Sequence, residues 1–285
     1  MTMLISGGYN VVAQSSAPAA APAEAPAAKT ALVHYDDLAQ ALSLIIGDQV
    51  KVVSFGALPK KEYSNLPSPL ASFNRQALPL LKQKGFSALV LADLPSSSAA
   101  ETEAAHYPRQ KQFGPELTEW YSFAHDYCGI TETFRQAQAL GLSLHGVAAN
   151  NVQEYLRTLQ QNAWPVKART LRTVDVLLGQ GKSVVTYHEL TANDVAPPAK
   201  KADSSFGWEL KKRLNAGYVE IDLIQPELVP AAKGDELIGV HDWQKYIPAK
   251  GVNLLRFKNG RQVVILPRFN GVRQEQRAVK QPVCE

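Results

Sequence analysis

The chain is short of the residues that announce most chemistries. It has two cysteines in 285 residues, Cys128 and Cys284. Neither has a second cysteine at zinc-ligand spacing, so the paired-cysteine pattern of a zinc finger or ribbon is missing. Spacing leaves open whether the two pair or stand as separate thiols. No run approaches the roughly 18 to 20 apolar residues that a membrane-spanning helix needs. No glycine-rich phosphate loop occurs, and Ser72, Ser122 and Ser183 lack any Gly-x-Ser-x-Gly context. A nucleotide cradle and a nucleophile elbow are therefore both missing. Charge is not one-sided either: 30 Lys and Arg stand against 26 Asp and Glu, a net +4. The basic residues are scattered beyond short runs such as Lys211-Lys212-Arg213, without the dense basic face that nucleic acid requires.

What is present is an ordinary globular composition, 45% hydrophobic and 20% charged, on a chain long enough for a large core. Residues 1–29 stand apart. A mildly apolar stretch ending in Val11-Val12-Ala13 precedes a segment of almost pure Ala, Pro and Ser. The small residues before Gln14 fit a signal-peptidase cut. The expectation is an exported protein, periplasmic or secreted, whose start lies inside its signal peptide and whose Ala/Pro linker spaces a domain from a membrane. An ordinary cytosolic tail is the alternative. A single domain over 30–266 follows, then a basic tail over 267–285.

Within the domain, helical and strand patterns alternate. Apolar spacing predicts helices over 34–46, 72–84, 116–127, 132–140, 152–162, 168–179 and 206–214. Short β-rich runs predict strands over 50–55, 87–91, 142–147, 181–187, 218–224, 254–258 and 262–266, the last pair flanking the hairpin signal Asn259-Gly260. The polar, proline-punctuated stretch 94–115 reads as a long loop. Strands separated by helices imply βαβ units. The predicted fold is α/β, a mainly parallel mixed sheet covered by helices on both faces, with an antiparallel C-terminal edge hairpin.

Several segments carry a resemblance in their order. They are Leu78 to Leu91, Gly181 to Tyr187 with Asn193-Asp194, Ser205-Phe206-Gly207, and Gly217-Tyr218-Val219-Glu220-Ile221-Asp222 with Pro226-Glu227. Over roughly residues 34–230 the chain resembles the ChaN-like, erythromycin-esterase-like and Tiki-related superfamily. That resemblance implies a Gly-Glu-x-His turn after the first strand, a Glu after the second and a His after a late strand, serving metal binding, hydrolysis or haem binding. Here the glycine is Gly56, but Ala57 and Pro59 take the Glu and His positions, Ala92 the second Glu and Ala192 the late His. Neither alanine nor proline can ligate a metal or move a proton.

Some chemistry-bearing residues remain. His188, Glu189 and Asp194 follow the fourth strand, and with Asp93 they form a candidate catalytic set for a relocated metal-dependent hydrolase. The alternative is a polar loop with a locally bonded histidine. Tyr121 and His125, in an aromatic helix, are candidate haem-binding residues, although helical spacing also explains that cluster as core. His145, inside a strand, reads as a core histidine. The favoured expectation is a scaffold without cofactor, a divalent metal or haem being the alternatives. Such a scaffold would bind other proteins of an envelope or extracellular assembly and would not bind nucleic acid. Sequence leaves the ligand, the partner's identity and the oligomeric state open.

Overall fold

A computed structural model describes residues 31–59, 68–121, 127–161, 166–197 and 205–269. The expectations for the leader, the linker, His125 and Cys284, and for the tail beyond residue 269, lie outside the described residues. In chain order the elements begin with β1 (Ala31–Tyr35), α1 (Leu38–Ile45) and β2 (Val52–Ala57). Next come α2 (Pro69–Ser72), a π turn (Phe73–Ala77), α3 (Leu78–Gln83) and β3 (Phe86–Pro95). Then follow α4 (Ser98–Gln110), α5 (Pro115–Tyr121), α6 (Tyr127–Ala139) and β4 (Ser143–Ala148). The chain continues through α7 (Val152–Gln161), α8 (Val166–Gly179), β5 (Ser183–Glu189), α9 (Phe206–Leu214) and β6 (Tyr218–Ile224). The last described elements are α10 (Gly234–Ile238), β7 (Val252–Arg256) and β8 (Gln262–Ile265).

The strands form one eight-stranded sheet in the order β1-β7-β8-β6-β2-β5-β3-β4. All pairings are parallel except β1 with β7 and β7 with β8. This is the mixed α/β sheet the sequence predicts. β2 lies at the centre and is buried at all six positions, as a strand covered on both faces must be. On one face Val53, Phe55, Leu89 and Val185 pack beneath α1 to α6. Phe73 anchors that side, its ring centroid 5.0 Å from Phe55 and 4.8 Å from Tyr187. Burying such a ring is worth roughly 1.5–3 kcal/mol. On the other face Val52, Val184 and Tyr218 pack beneath α8 and α9, with Val174, Leu177, Phe206 and Leu210.

Three local expectations are corrected. Residues 34 and 35 belong to β1, an outermost strand the sequence does not announce, and α1 begins only after Asp37 caps it by accepting from Gln40 N–H at 2.7 Å. Much of 94–115 is helix α4, started by Ser97, whose hydroxyl accepts from Ala100 N–H at 3.1 Å. Its buried face is Ala100, Ala104 and Tyr107, too small in part to register as an apolar stripe. The predicted continuous helix 72–84 contains the π turn. Pro79 lacks the N–H that Arg75 C=O would use and crowds that carbonyl, and the wider turn just before it relieves the clash.

Candidate functional site

The chain changes direction at β2. β5 lies on one side of it, and the connection from β5 through α9 crosses to place β6 on the other. Such a switch point is where open α/β sheets gather ligands. In register, Ser54 sits between Thr186 and Glu220, and two residues on, Gly56 sits between His188 and Asp222. Strand alternation sends all six positions to the α8/α9 face. At the carboxyl half of the three central strands the apolar core thus gives way to a polar patch, Ser54, Thr186, His188, Glu220 and Asp222, with 0–2% exposure throughout.

Each group is held from a different element. The hydroxyls of Ser54 and Thr186 bond each other at 2.7 Å. Glu220 Oε2 accepts from Val195 N–H at 2.6 Å. Arg261, immediately before β8, donates from Nε to Asp222 Oδ2 at 2.7 Å, and the same Nε lies 3.7 Å from Glu220 Oε1. Its other nitrogens donate to the end of α10, to the carbonyls of Leu237 at 2.6 Å and Ile238 at 3.3 Å.

Gly56 has no side chain, and the slot it leaves is filled by Asn193. A Cβ on Gly56 would stand 2.5 Å from the Asn193 amide and 2.8 Å from Asp222 Oδ1. Turned to suit its neighbours, that amide donates to Leu190 C=O at 2.8 Å and accepts from Gly56 N–H at 3.0 Å. The start of α9 closes over this loop. Phe206 N–H donates to Ala192 C=O at 2.9 Å, Ser205 Oγ donates to Asp194 C=O at 2.6 Å, and Tyr218 Oη donates to Asn193 C=O at 3.1 Å.

The electrostatics follow from this closure. Burial pushes Asp222 up to about 6, against the pull of Arg261, and raises Glu220 well above the carboxylate range, with Asp222 the next cause. Two carboxyls facing one guanidinium thus hold a proton where exposed acids would have lost theirs. Burial alone lowers His188 to about 3, so its ring is neutral. Among the described residues neither ring nitrogen has a hydrogen-bond partner, and the imidazole packs 4.5 Å from the Phe206 ring. Within the same described residues Glu220 Oε1 and Asp222 Oδ1 also lack hydrogen bonds. This is a buried, closed cluster with unmet polar capacity, which costs stability.

The sequence candidates fall in different places. His188 and Glu189 lie within β5 rather than in the loop after it, because pairing with β2 continues to Ala57 and Glu189. Alternation buries His188 and leaves Glu189 exposed. Asp194 lies beside the cluster, its charge raising both Glu220 and Asp222, while its own Oδ1 accepts from Ala196 N–H at 2.8 Å. Asp93 is exposed at the end of β3 and lines a cavity of about 10 Å³ with Leu91, Tyr121 and Tyr187, which belong to the core of the opposite face. That volume holds about one water. His188 and Asp194 come together; Glu189 and Asp93 do not join them.

Tyr121 is buried, and its Oη donates to Asp93 C=O at 2.9 Å. Burial, aided by Asp93, raises it well above 10 and keeps the phenol neutral. Among the described residues, three ligand-bearing side chains come within 4.8 Å of one another at Asp235, His241 and Asp242, all exposed. His188, Glu220 and Asp222 do not form such a set. Sequence reasoning passed over Glu220, Asp222, Asn193 and Arg261 as site groups. The available signal was two acids at i and i+2 in an otherwise apolar strand.

No family model and no curated protein matches the chain. Solved structures resemble it at low identity. The type III effector HopBA1 aligns at 11% identity and TM-score 0.47, over 86% of this chain and 99% of that one. RRSP, a MARTX toxin effector domain from Vibrio vulnificus, aligns at 17% and 0.42, over 66% of this chain and 36% of the other. A succinoglycan biosynthesis protein aligns at 11% and 0.43, over 65% and 68%.

Proposed function

We propose that this chain is an exported relative of the ChaN-like, erythromycin-esterase-like and Tiki-related superfamily that has given up the family's metal and acid–base chemistry. It serves instead as a binding or structural component of an envelope or extracellular assembly. The observation that carries the reading is the closed state of the cluster at the strands' carboxyl ends. Glu220 and Asp222 are fully buried, one guanidinium is paired against them, and Asn193 occupies the slot beside Gly56. The positions the family would use, Ala57, Ala92 and Ala192, carry methyl groups. An oxidising compartment is supported by Cys128, which is disulfide-bonded.

The test is metal analysis and assay of the natively exported protein. Purified material should hold no stoichiometric divalent metal or haem, and His188→Ala should change no turnover. A stoichiometric ion, or hydrolysis abolished by His188→Ala, overturns the proposal. Cross-linking in the native host should join the domain to other envelope or extracellular proteins. Removing residues 268–285 should weaken that assembly while leaving the domain folded.

A further inference from the structure

A second group of titratable and nucleophilic side chains lies across β4, outside the cluster just described. Ser143 and His145 share one face of that strand at i and i+2. His145 Nε2 lies 3.1 Å from Ser143 Oγ, and its Nδ1 lies 3.8 Å from Glu101 Oε2, which reaches in from α4. The Glu101 carboxylate is itself fixed, since Oε1 accepts from Gly146 N–H at 2.9 Å. Lys182, just before β5, places Nζ 3.4 Å from Ser143 Oγ. All four side chains are partly exposed, so a small molecule can reach them.

These contacts assign roles. A carboxylate opposite Nδ1 favours the tautomer with its proton there, which turns the Nε2 lone pair toward Ser143 Oγ. The hydroxyl also lies 3.3 Å from Ser87 C=O, but the imidazole is the nearer acceptor. Burial and then Lys182 lower His145 from its usual range, so the ring is a neutral base at physiological pH. The Lys182 ammonium, 3.4 Å from Ser143 Oγ, favours negative charge on that oxygen as its proton leaves.

We propose that Ser143 is a nucleophile with His145 as its general base, Lys182 as its electrostatic support and Glu101 as a positioning residue, acting on small esters and phosphonate-type electrophiles. Ser143 Oγ forms a bond to the ester carbonyl carbon while its proton passes to His145 Nε2. The bond to the leaving alcohol breaks, the alcohol takes that proton, and an acyl-serine remains. Water then adds by the same route, giving the acid and restoring Ser143. This goes beyond the reading of the carboxyl-end cluster and shares no residue with it, so either can fail alone.

The experiment is labelling of the full chain with a fluorophosphonate probe, read by intact mass and peptide mapping. One adduct is expected, on Ser143, and none in Ser143→Ala. His145→Ala, checked for folding by circular dichroism, should label on the order of a hundred-fold more slowly. Lys182→Met should slow labelling as well. Glu101→Gln should move the midpoint of the labelling pH profile to lower pH, because the imidazolium loses its carboxylate. A merely structural Glu101 would leave that midpoint in place. Absence of a Ser143 adduct in the folded wild-type protein, or an unchanged rate in His145→Ala, overturns the proposal.

Discussion

Two histidines of this sheet meet opposite fates. His188, on β5 near the centre, is sealed under Phe206, with both nitrogens unpartnered among the described residues. His145, on outermost β4, keeps partial exposure and has a hydroxyl at one nitrogen and a carboxylate facing the other. Burial lowers both, yet only the second is arranged to move a proton. Position in the sheet makes the difference. A central strand is covered on both faces, so a polar residue there must be satisfied from within or go without. An outermost strand leaves room for α4 to reach round with a carboxylate and for solvent to arrive.

The comparison implies that the central cluster is held by internal charge balance, and the largest expected effect tests that. Arg261→Met leaves Glu220 and Asp222 buried without their cation. Stranding buried charge in this way costs about 3–5 kcal/mol. Urea denaturation at pH 7 should show the loss, and the deficit should shrink as acid protonates the carboxyls. A variant as stable as the wild type would mean the guanidinium contributes little to holding the cluster.

Acid response should separate the two histidines next. The folded protein keeps His188 neutral down to about pH 3, whereas an unfolded histidine binds a proton below about 6.5. Between those values the unfolded state holds the extra proton, so His188 makes stability fall as pH falls. Asp222 acts the other way. Its folded form keeps a proton up to about 6, against an ordinary 3.8, so its contribution is full below about pH 4 and is lost as pH rises through 6. The two slopes oppose each other between about pH 4 and 6. His188→Gln removes one of them. Relative to wild type it should therefore gain stability on going from pH 7 to pH 4, by about 3 kcal/mol. Paired chemical denaturations at the two pH values measure this, and a pH-independent difference would refute it.

Much of the scaffold was legible because its strands are short, apolar and regularly spaced. β6 runs over the predicted residues 218–224, and α9 over 206–214. The cluster was not, for a reason rooted in alternation. Glu220 and Asp222 at i and i+2 look like the wet face of a half-exposed strand. Only the sheet order, which puts β6 between β2 and β8, buries them. Arg261 was hidden in a hairpin turn, since its pairing with Asp222 spans 39 residues. His188 was visible as a candidate, but the meaning of its position required knowing that Gly56 lies beside it.

The glycines carry the contrast further, at a smaller expected cost. Gly56→Ala drives a methyl into the Asn193 amide and the Asp222 carboxylate, both side chains that can give way. Overpacking of this kind costs roughly 1–3 kcal/mol. In Gly146→Ala the new Cβ would stand 1.9 Å from Pro95 C=O, where backbone of β3 must move. It should lie at or beyond the upper end of that range. Melting temperatures of the two variants should therefore rank Gly146→Ala below Gly56→Ala. The reverse order would show the central slot to be the more rigid of the two regions.

The smallest effects come from removing one oxygen in each region. Ser54→Ala deletes the partner of Thr186 Oγ1 at 2.7 Å, in a place without solvent. A buried hydroxyl left unpaired costs about 1–3 kcal/mol. Ser143→Ala removes an oxygen from a partly exposed residue, whose side-chain neighbours His145 and Lys182 can turn to water. Its effect on stability should stay within about 0.5 kcal/mol, as for surface changes generally. The two substitutions are chemically identical, so urea midpoints measured side by side isolate the surroundings from the side chain. Ser54 should matter to folding and Ser143 should not, which leaves reactivity as what Ser143 contributes. Equal destabilisation by both would make Ser143 part of the structural frame and dissolve the distinction between the two histidine sites.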